Sequence, residues 1–314
     1  MRIKPSDALR FLGGLAVAAI VLGLIVLRVT HHAPVRTAGP TPASRSAAPA
    51  APPPAPAAAT AATACDVGPG APALANAQSF RTLAWAPFRR AELGWETYAP
   101  LIAREIATAC APDTPGFAAA LSAWEARQGL PADGTMSEPV FIRLRTTLEL
   151  RRPFVRVNAQ GICPAPPPEA ALAAADKPEG YAGMAIRMRP GALAAYRRMA
   201  AAARAADPAI AADPRNLTIF SGFRSPADDT ARCGRDGNCN GVIRATCSAH
   251  RTGLAMDLYV GQAPGFGPDS SADANRLFMS RQPAYRWLVA NADRFGFVPY
   301  PFEPWHWEWT GEAP

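Results

Sequence analysis

Apolar residues recur at helical spacing between residues 95 and 148. Pro115 and Ser137 stand where helix starts are expected, and Pro131–Gly134 (PADG) is a turn signal. The pattern predicts three short helices around a small core within residues 65–156, on three sets of apolar residues: Trp95, Tyr98, Ile102 and Ile106; Phe117, Leu121 and Trp124; Phe141, Leu144 and Leu148.

The segment from residue 161 to residue 314 mixes short strand patterns with helical ones. Helices are predicted at Ala192–Ala206 and Pro283–Phe295, and strands at Asn216–Phe220, Leu254–Val260 and Trp305–Thr310. The elements do not alternate as a regular series of parallel strands and crossover helices. The sequence therefore predicts an α+β domain over residues 161–314.

The N-terminal part has the pattern of a membrane-targeting segment. Residues 1–10 carry three positive side chains, and residues 11–27 contain no charge. We expect a transmembrane signal anchor at 11–27, with residues 1–10 in the cytoplasm and the remainder in the periplasm; secretion after signal cleavage is the alternative. Residues 28–64 are rich in Pro and Ala, which predicts a disordered linker between the inner membrane and the folded part.

Composition adds three constraints. The net charge of +7 comes almost entirely from scattered arginines, a pattern that gives little support to nucleic-acid binding. All six cysteines follow the apolar segment, which favours disulfides in an oxidising compartment. We expect Cys65 to pair with Cys110, and Cys163, Cys233, Cys239 and Cys247 to form the other pairs. Lysine occurs only at positions 4 and 177, so the chain lacks the Ser-x-x-Lys and Lys-Thr-Gly motifs of enzymes that use a lysine-activated serine.

Histidine is scarce, and only two of the four histidines, His250 and His306, lie beyond the linker. In the strand that follows His250, Asp257 alternates with the apolar row of Leu254, Met256 and Leu258, so it faces the other side. Gly253 lets the chain turn so that His250 can face the same point. Two imidazoles and one carboxylate with an open fourth position are typical of a catalytic zinc site.

Two glutamates near His306 are candidates for the general base. Strand alternation places Glu308 on the face of His306, whereas Pro304 interrupts regular pairing between Glu303 and His306. From the residues alone, both glutamates remain candidates.

The motifs resemble those of the zinc D-alanyl-D-alanine carboxypeptidases. Ser248-x-His250-x-x-Gly253-x-Ala255-x-Asp257 and Glu303-Pro304-Trp305-His306 match the SxHxxGxAxD and ExWH signatures, and Ser221–Ser225 (SGFRS) matches SGYRS. The resemblance implies zinc ligands at His250, Asp257 and His306, and catalytic roles for Glu303 as base and Arg224 as oxyanion stabiliser. It also implies substrate-binding roles for Ser248, Ser225 and Asp229, although many relatives carry glutamine at the position of Asp229.

Residues 117–148 resemble the peptidoglycan-binding-domain-like family, with an aromatic-rich helix, a Gly-Leu exit and an Asp-Gly turn. Together the two resemblances imply zinc-dependent hydrolysis of the terminal D-Ala-D-Ala bond of peptidoglycan stem peptides. A peptidoglycan endopeptidase with the same zinc site is one alternative. A non-catalytic wall-binding protein is another.

Overall fold

The computed structural model describes residues 65–237, 239 and 245–314 of the chain. The predicted membrane anchor at 11–27 and the linker at 28–64 lie outside these residues. Over the part that is described, no helix combines the length and apolar composition needed to cross a membrane.

The first part of the described chain is mainly helical. Helices α2 (Ala99–Glu105), α3 (Pro115–Arg127) and α4 (Glu138–Glu149) lie on the three stretches that apolar spacing predicts, and α1 (Gly70–Ser79) and α5 (Pro153–Asn158) flank them. Thr114 caps α3 by accepting a hydrogen bond from the amide of Phe117, and Pro115 occupies the first turn, where no intrahelical donor is needed. The elements are α1 (Gly70–Ser79), β1 (Ala84–Trp85), β2 (Glu92–Leu93), α2 (Ala99–Glu105), α3 (Pro115–Arg127), α4 (Glu138–Glu149) and α5 (Pro153–Asn158).

The second part mixes helices with a small antiparallel sheet, which confirms the predicted α+β class. The predicted helix at Pro283–Phe295 consists of α10 (Pro283–Asn291) followed by a 3-10 turn at Ala292–Phe295. The elements are β3 (Ala173–Ala174), β4 (Arg187–Met188), α6 (Pro190–Ala206), α7 (Pro208–Ala212), β5 (Ile219–Ser221), α8 (Pro226–Asp236), β6 (Ala255–Leu258), α9 (Asp273–Ser280), α10 (Pro283–Asn291), β7 (Phe297–Tyr300) and β8 (Glu303–Trp309).

The main sheet has four antiparallel strands in the order β5-β6-β8-β7. Strand β6 is central and buried on both faces. Met256 and Leu258 face the apolar core, and Ala255 and Asp257 face the other side. The alternation read from the sequence thus places the only carboxylate of β6 away from the core.

The apolar core continues from the helical part into the α+β part. Phe88 packs against Phe302 with ring centroids 5.0 Å apart. Arg276 is almost fully buried between the two parts, where it donates to the carbonyl of Phe302 and to the hydroxyl of Tyr98 and pairs with Glu92. Since one core and one buried ion-pair network connect both parts, the helical segment is fixed against the α+β domain.

Candidate functional site

Three neighbouring strands bring the site together in register. Asp257 in β6 lies opposite His306 in β8 on one side and opposite Ser221 in β5 on the other. Directly opposed residues in an antiparallel pair project to the same face of the sheet. The sheet therefore places the Asp257 carboxylate beside the His306 imidazole.

His250 reaches the same point from a 3-10 turn, Ala249–Thr252, that immediately precedes β6. Gly253 ends this turn with φ of +70°, the left-handed conformation that favours glycine. A Cβ at Gly253 would also lie 3.0 Å from the side chain of Leu172. The role predicted for Gly253 is confirmed by this conformation.

The donor atoms of the three predicted ligands form a small triangle. The Oδ1 atom of Asp257 lies 2.9 Å from Nδ1 of His306 and 3.2 Å from Nε2 of His250, and these two nitrogens are 3.2 Å apart. All three residues are buried, with exposures of 2%, 6% and 4% for His250, Asp257 and His306.

This triangle has the size of a zinc ligand set. Tetrahedral ligands at about 2.0–2.2 Å from a zinc ion lie about 3.3–3.6 Å from one another. The observed separations are slightly shorter, so small side-chain movements would accommodate the ion. The donor set and its spacing fit zinc, and these are the three residues that the sequence predicts.

The second nitrogen of each imidazole faces a hydrogen-bond acceptor. Nδ1 of His250 lies 2.7 Å from the carbonyl oxygen of Gly222, to which it donates its proton, so that Nε2 offers a lone pair to the site. Nε2 of His306 lies 3.4 Å from Oε1 of Glu308, which orients Nδ1 of His306 in the same way. Such acceptors behind the imidazoles are a regular feature of metal sites.

The pKa values of the three residues are compatible with binding of a cation. Burial, aided by the charge of Arg224, lowers the pKa of His250 to about 4, which keeps this imidazole neutral. Burial would raise the pKa of Asp257, but the two histidines outweigh it and hold that pKa well below the ordinary value. Burial also acts to lower the pKa of His306, yet the hydrogen bonds to Asp257 and Glu308 raise it to about 9. Metal binding at His306 would therefore release a proton.

Glu308 supports the site from behind. Its Oε1 accepts a 2.6 Å hydrogen bond from Nε of Arg152, and its Oε2 accepts one from the amide of Phe154. Burial alone would raise the pKa of Glu308, but Arg152 and His306 lower it to about 2. Strand alternation correctly places Glu308 next to His306. Because both oxygens are engaged and the carboxylate is so weak a base, it is poorly suited to accept a proton near neutral pH.

Glu303 lies at the start of β8. It lines a cleft together with His250, Asp257 and His306. Burial, together with the negative charge of Asp257, raises the pKa of Glu303 to about 7, although His306, Arg224 and Arg152 act in the opposite direction. A carboxylate with a pKa close to the working pH is suited to general acid–base catalysis.

Arg224 is fixed by polar side chains. Its Nε donates to Oδ1 of Asp229 at 3.0 Å, and its Nη1 donates to the hydroxyl of Ser221 at 2.6 Å. Ser248 donates to Oδ2 of Asp229 at 2.7 Å and lies 3.5 Å from Nη2 of Arg224. Nη1 of Arg224 also lies 3.8 Å from the carboxylate of Asp257, which places the guanidinium beside the ligand triangle.

A comparison with protein families matches residues 185–312 to VanY, described as D-alanyl-D-alanine carboxypeptidase. The predicted resemblance is confirmed. All of the predicted ligands and catalytic residues fall inside the VanY match. The resemblance of residues 117–148 to peptidoglycan-binding domains stays a prediction.

Two solved structures are similar to the chain. One is a mutant of the vancomycin-resistance D,D-pentapeptidase VanY from a VanB-type resistance cassette in complex with Zn(II), at 22% identity and a TM-score of 0.27, covering 46% of this chain and 83% of that one. The other is DacB from Streptococcus pneumoniae D39, at 21% identity and a TM-score of 0.27, covering 48% of this chain and 88% of that one. No curated protein matches the chain.

The predicted substrate-binding residues of the VanY-like domain have different surroundings. Ser248 and Asp229 line the cleft, where Asp229 holds Arg224. Ser225 instead caps helix α8, with its hydroxyl and amide bonded to the carboxylate of Asp228. The structure therefore does not bring Ser225 into the cleft, because the first turn of α8 uses its polar atoms.

Sequence reasoning missed one wall of the cleft. Glu149, Arg152, Phe154, Val155 and Asn158 line it from the ends of α4 and α5, outside the VanY match. No motif marks these residues, since Arg152 lies 156 positions before its partner Glu308.

The cysteines pair as Cys65–Cys110, Cys163–Cys247 and Cys233–Cys239. The predicted Cys65–Cys110 disulfide is confirmed, and the remaining four cysteines form pairs among themselves as expected. Cys247 lines the cleft next to Ser248. The disulfide to Cys163 therefore fixes the wall of the cleft next to the SxHxxGxAxD motif.

Proposed function

We propose that this chain is a zinc-dependent D,D-carboxypeptidase that hydrolyses the terminal D-Ala-D-Ala bond of peptidoglycan stem peptides. The observation that carries the proposal is the buried triangle of Asp257, His250 and His306, with donor atoms 2.9–3.2 Å apart. The match to a D-alanyl-D-alanine carboxypeptidase family supports a cell-wall peptidase, and the Zn(II) bound to the similar VanY structure agrees with zinc as the metal.

In this proposal, His250, Asp257 and His306 hold the zinc ion. Zinc bound there would lower the pKa of water to about 7 and polarise the carbonyl of the substrate. Glu308 keeps the His306 ring in the ligating orientation, and Gly222 does the same for His250.

Glu303 acts as the general base, accepting a proton from the attacking water and passing it to the departing amine. Its pKa of about 7 suits both transfers, because the carboxylate is neither too weak a base nor too weak an acid at neutral pH. Glu308 is the other glutamate near His306, but its pKa of about 2 argues against this role.

Arg224 stabilises the negative charge that develops on the carbonyl oxygen. A charged donor contributes most when it is already oriented before the reaction, and Asp229 and Ser221 hold the guanidinium in place. Ser248 completes this support through its hydrogen bond to Asp229.

We further propose that the catalytic part works in the periplasm, held at the inner membrane by the segment at 11–27. Three disulfides among the described residues are consistent with an oxidising compartment. The net charge of +7 would favour association with anionic wall polymer and anionic lipid.

The test uses the full-length protein in detergent, loaded with zinc and given pentapeptide stems and cross-linked muropeptides side by side. Mass spectrometry should detect free D-alanine and tetrapeptide stems, and chelation should stop the reaction until zinc is restored. Glu303→Gln serves as a matched control that keeps all three ligands. Cleavage of cross-links without release of D-alanine from pentapeptide would instead indicate an endopeptidase, and no cleavage of either substrate would refute the proposal.

A further inference from the structure

The helical segment forms one wall of the catalytic cleft. Arg152, at the start of α5, lines the same cleft as His306, Glu303 and Arg224. Arg152 lies outside the region matched by VanY, so this wall comes from the part of the chain that precedes the family domain.

The Arg152 side chain is held in place, but only part of its hydrogen-bonding capacity is used. Its side chain is only 9% exposed, its Nε donates to Glu308, and its guanidinium stacks over the ring of Tyr300 at 4.3 Å. Glu149 is a further acidic neighbour on the same wall. Among the residues that the structure describes, the two terminal nitrogens of Arg152 have no hydrogen-bond partner. The end of the guanidinium is therefore an oriented and unused pair of donors.

Arg224, a second arginine that lines the cleft, is already held by neighbouring side chains. Arg224 donates to Asp229 and Ser221 and lies beside Ser248. Asp229 has one oxygen bonded to Arg224 and the other bonded to Ser248. The proposed function assigns Arg224 to the carbonyl oxygen, and Arg232, which also lines the cleft, pairs with Asp269. A second anionic group on the peptide is therefore left to Arg152.

We infer that Arg152 binds a carboxylate of the stem peptide, so that the helical segment is part of the substrate site. A guanidinium with two free terminal donors matches a carboxylate in a paired, two-hydrogen-bond geometry. The inference rests on the proposed function for the identity of the ligand. Two carboxylates share this chemistry, the C-terminal carboxylate of the peptide and an acidic side chain within it.

The test is a binding measurement, which does not depend on turnover. Full-length, zinc-loaded protein in the slowed Glu303→Gln background is titrated by calorimetry with three synthetic pentapeptide stems. One stem has free carboxylates, one has an amidated C-terminus, and one has its side-chain carboxylates amidated. The titration is repeated with Arg152→Gln, Arg152→Lys and, as a matched control from the adjacent surface position, Arg151→Gln.

We expect one of the two amidated stems to bind on the order of 10–100-fold more weakly than the free acid, which identifies the carboxylate concerned. In Arg152→Gln, the ratio of the dissociation constants of that amidated stem and the free acid should fall to less than about 3-fold. Arg152→Lys should give an intermediate ratio, because it keeps the charge but loses the planar pair of donors. Arg151→Gln should preserve the full ratio. Each ratio compares two stems bound by the same variant. A partial loss of zinc or of folded protein therefore affects both dissociation constants equally and cancels.

An unchanged ratio in Arg152→Gln would overturn the inference, and so would equal binding of all three stems by the parent. Should Arg152→Gln fail to fold because Glu308 is left unpaired, the double variant Arg152→Gln/Glu308→Gln removes both charges and decides the question in the same assay. Hydrolysis by the wild-type protein is measured separately, so failure of the proposed function is distinguishable from failure of this inference.

Discussion

The buried Glu308 carboxylate offers a sharp test of how the site is supported. Glu308→Gln keeps the shape of the side chain but removes the charge that pairs with Arg152. Glu308 is 1% exposed, and its pKa falls from an ordinary value of 4.5 to about 2. At 1.36 kcal/mol per pH unit, this fall corresponds to about 3 kcal/mol in favour of the ionised form.

Removing one member of a buried ion pair commonly costs about 3–5 kcal/mol, since the remaining charge is left without a partner. We therefore expect the zinc-free variant to unfold with a free energy lower by about 3 kcal/mol. The contribution of Glu308 should be complete above its unfolded pKa of 4.5 and disappear as the pH falls towards about 2, because protonation then removes the same charge. The difference between wild type and variant should shrink over this range.

The same substitution should weaken zinc binding by about 10–100-fold, because Glu308 orients the ring of His306. The assays are urea denaturation of the zinc-free, full-length protein in detergent and zinc titration against a competing chelator. Glu149→Gln is the matched control, since Glu149 is also a neighbour of Arg152 but makes no hydrogen bond to His306 in the described structure. Equal zinc affinity in wild type and Glu308→Gln, or a loss of affinity in Glu149→Gln as large as in Glu308→Gln, would refute this account of the site.

Four further outcomes follow from the same geometry. His250→Ala should abolish stoichiometric zinc binding measured by metal analysis; full zinc occupancy would contradict the ligand assignment. Glu303→Gln should keep zinc and lower kcat by about 10²–10⁴-fold. The wild-type rate should decrease as the pH is lowered below about 7, because the base with a pKa of about 7 becomes protonated, and the residual rate of the variant should show no such decrease. Replacing Cys163 and Cys247 by serine should lower stability by about 2–4 kcal/mol in thermal unfolding; an unchanged midpoint would argue against a stabilising bridge. Penicillins should leave hydrolysis intact, because the chain lacks a lysine-activated serine, whereas phosphinate peptides should inhibit; the reverse pattern would point to an acyl-enzyme.

The ligand triangle could be predicted because its geometry is largely local. Asp257 follows His250 within one turn and one strand, so alternation along β6 and the turn at Gly253 place both side chains. The position of His306 depends in addition on the pairing of β6 with β8, which local alternation does not predict. The motif resemblance identified this residue as the third ligand candidate. The α+β class and the helices α2, α3 and α4 likewise follow from apolar periodicity, which is a property of short segments.

The roles of the two glutamates were only partly readable from the sequence. Alternation correctly placed Glu308 beside His306, and motif resemblance selected Glu303 as the base. What separates their chemistry is the environment of each carboxylate, since an ion pair lowers the pKa of Glu308 and burial raises that of Glu303. An environment of this kind is assembled from distant parts of the chain.

The amino-acid sequence alone predicts His250, Asp257 and His306 as zinc ligands, the α+β class and the position of Arg224 in a motif. Three contacts became visible only in the folded molecule: Arg152 pairs with Glu308 across 156 positions, Asp229 binds Arg224, and Ser225 caps helix α8. Periodicity and motif spacing describe neighbours along the chain. Contacts between the helical segment and β8 depend instead on how the whole core packs, which no local pattern encodes.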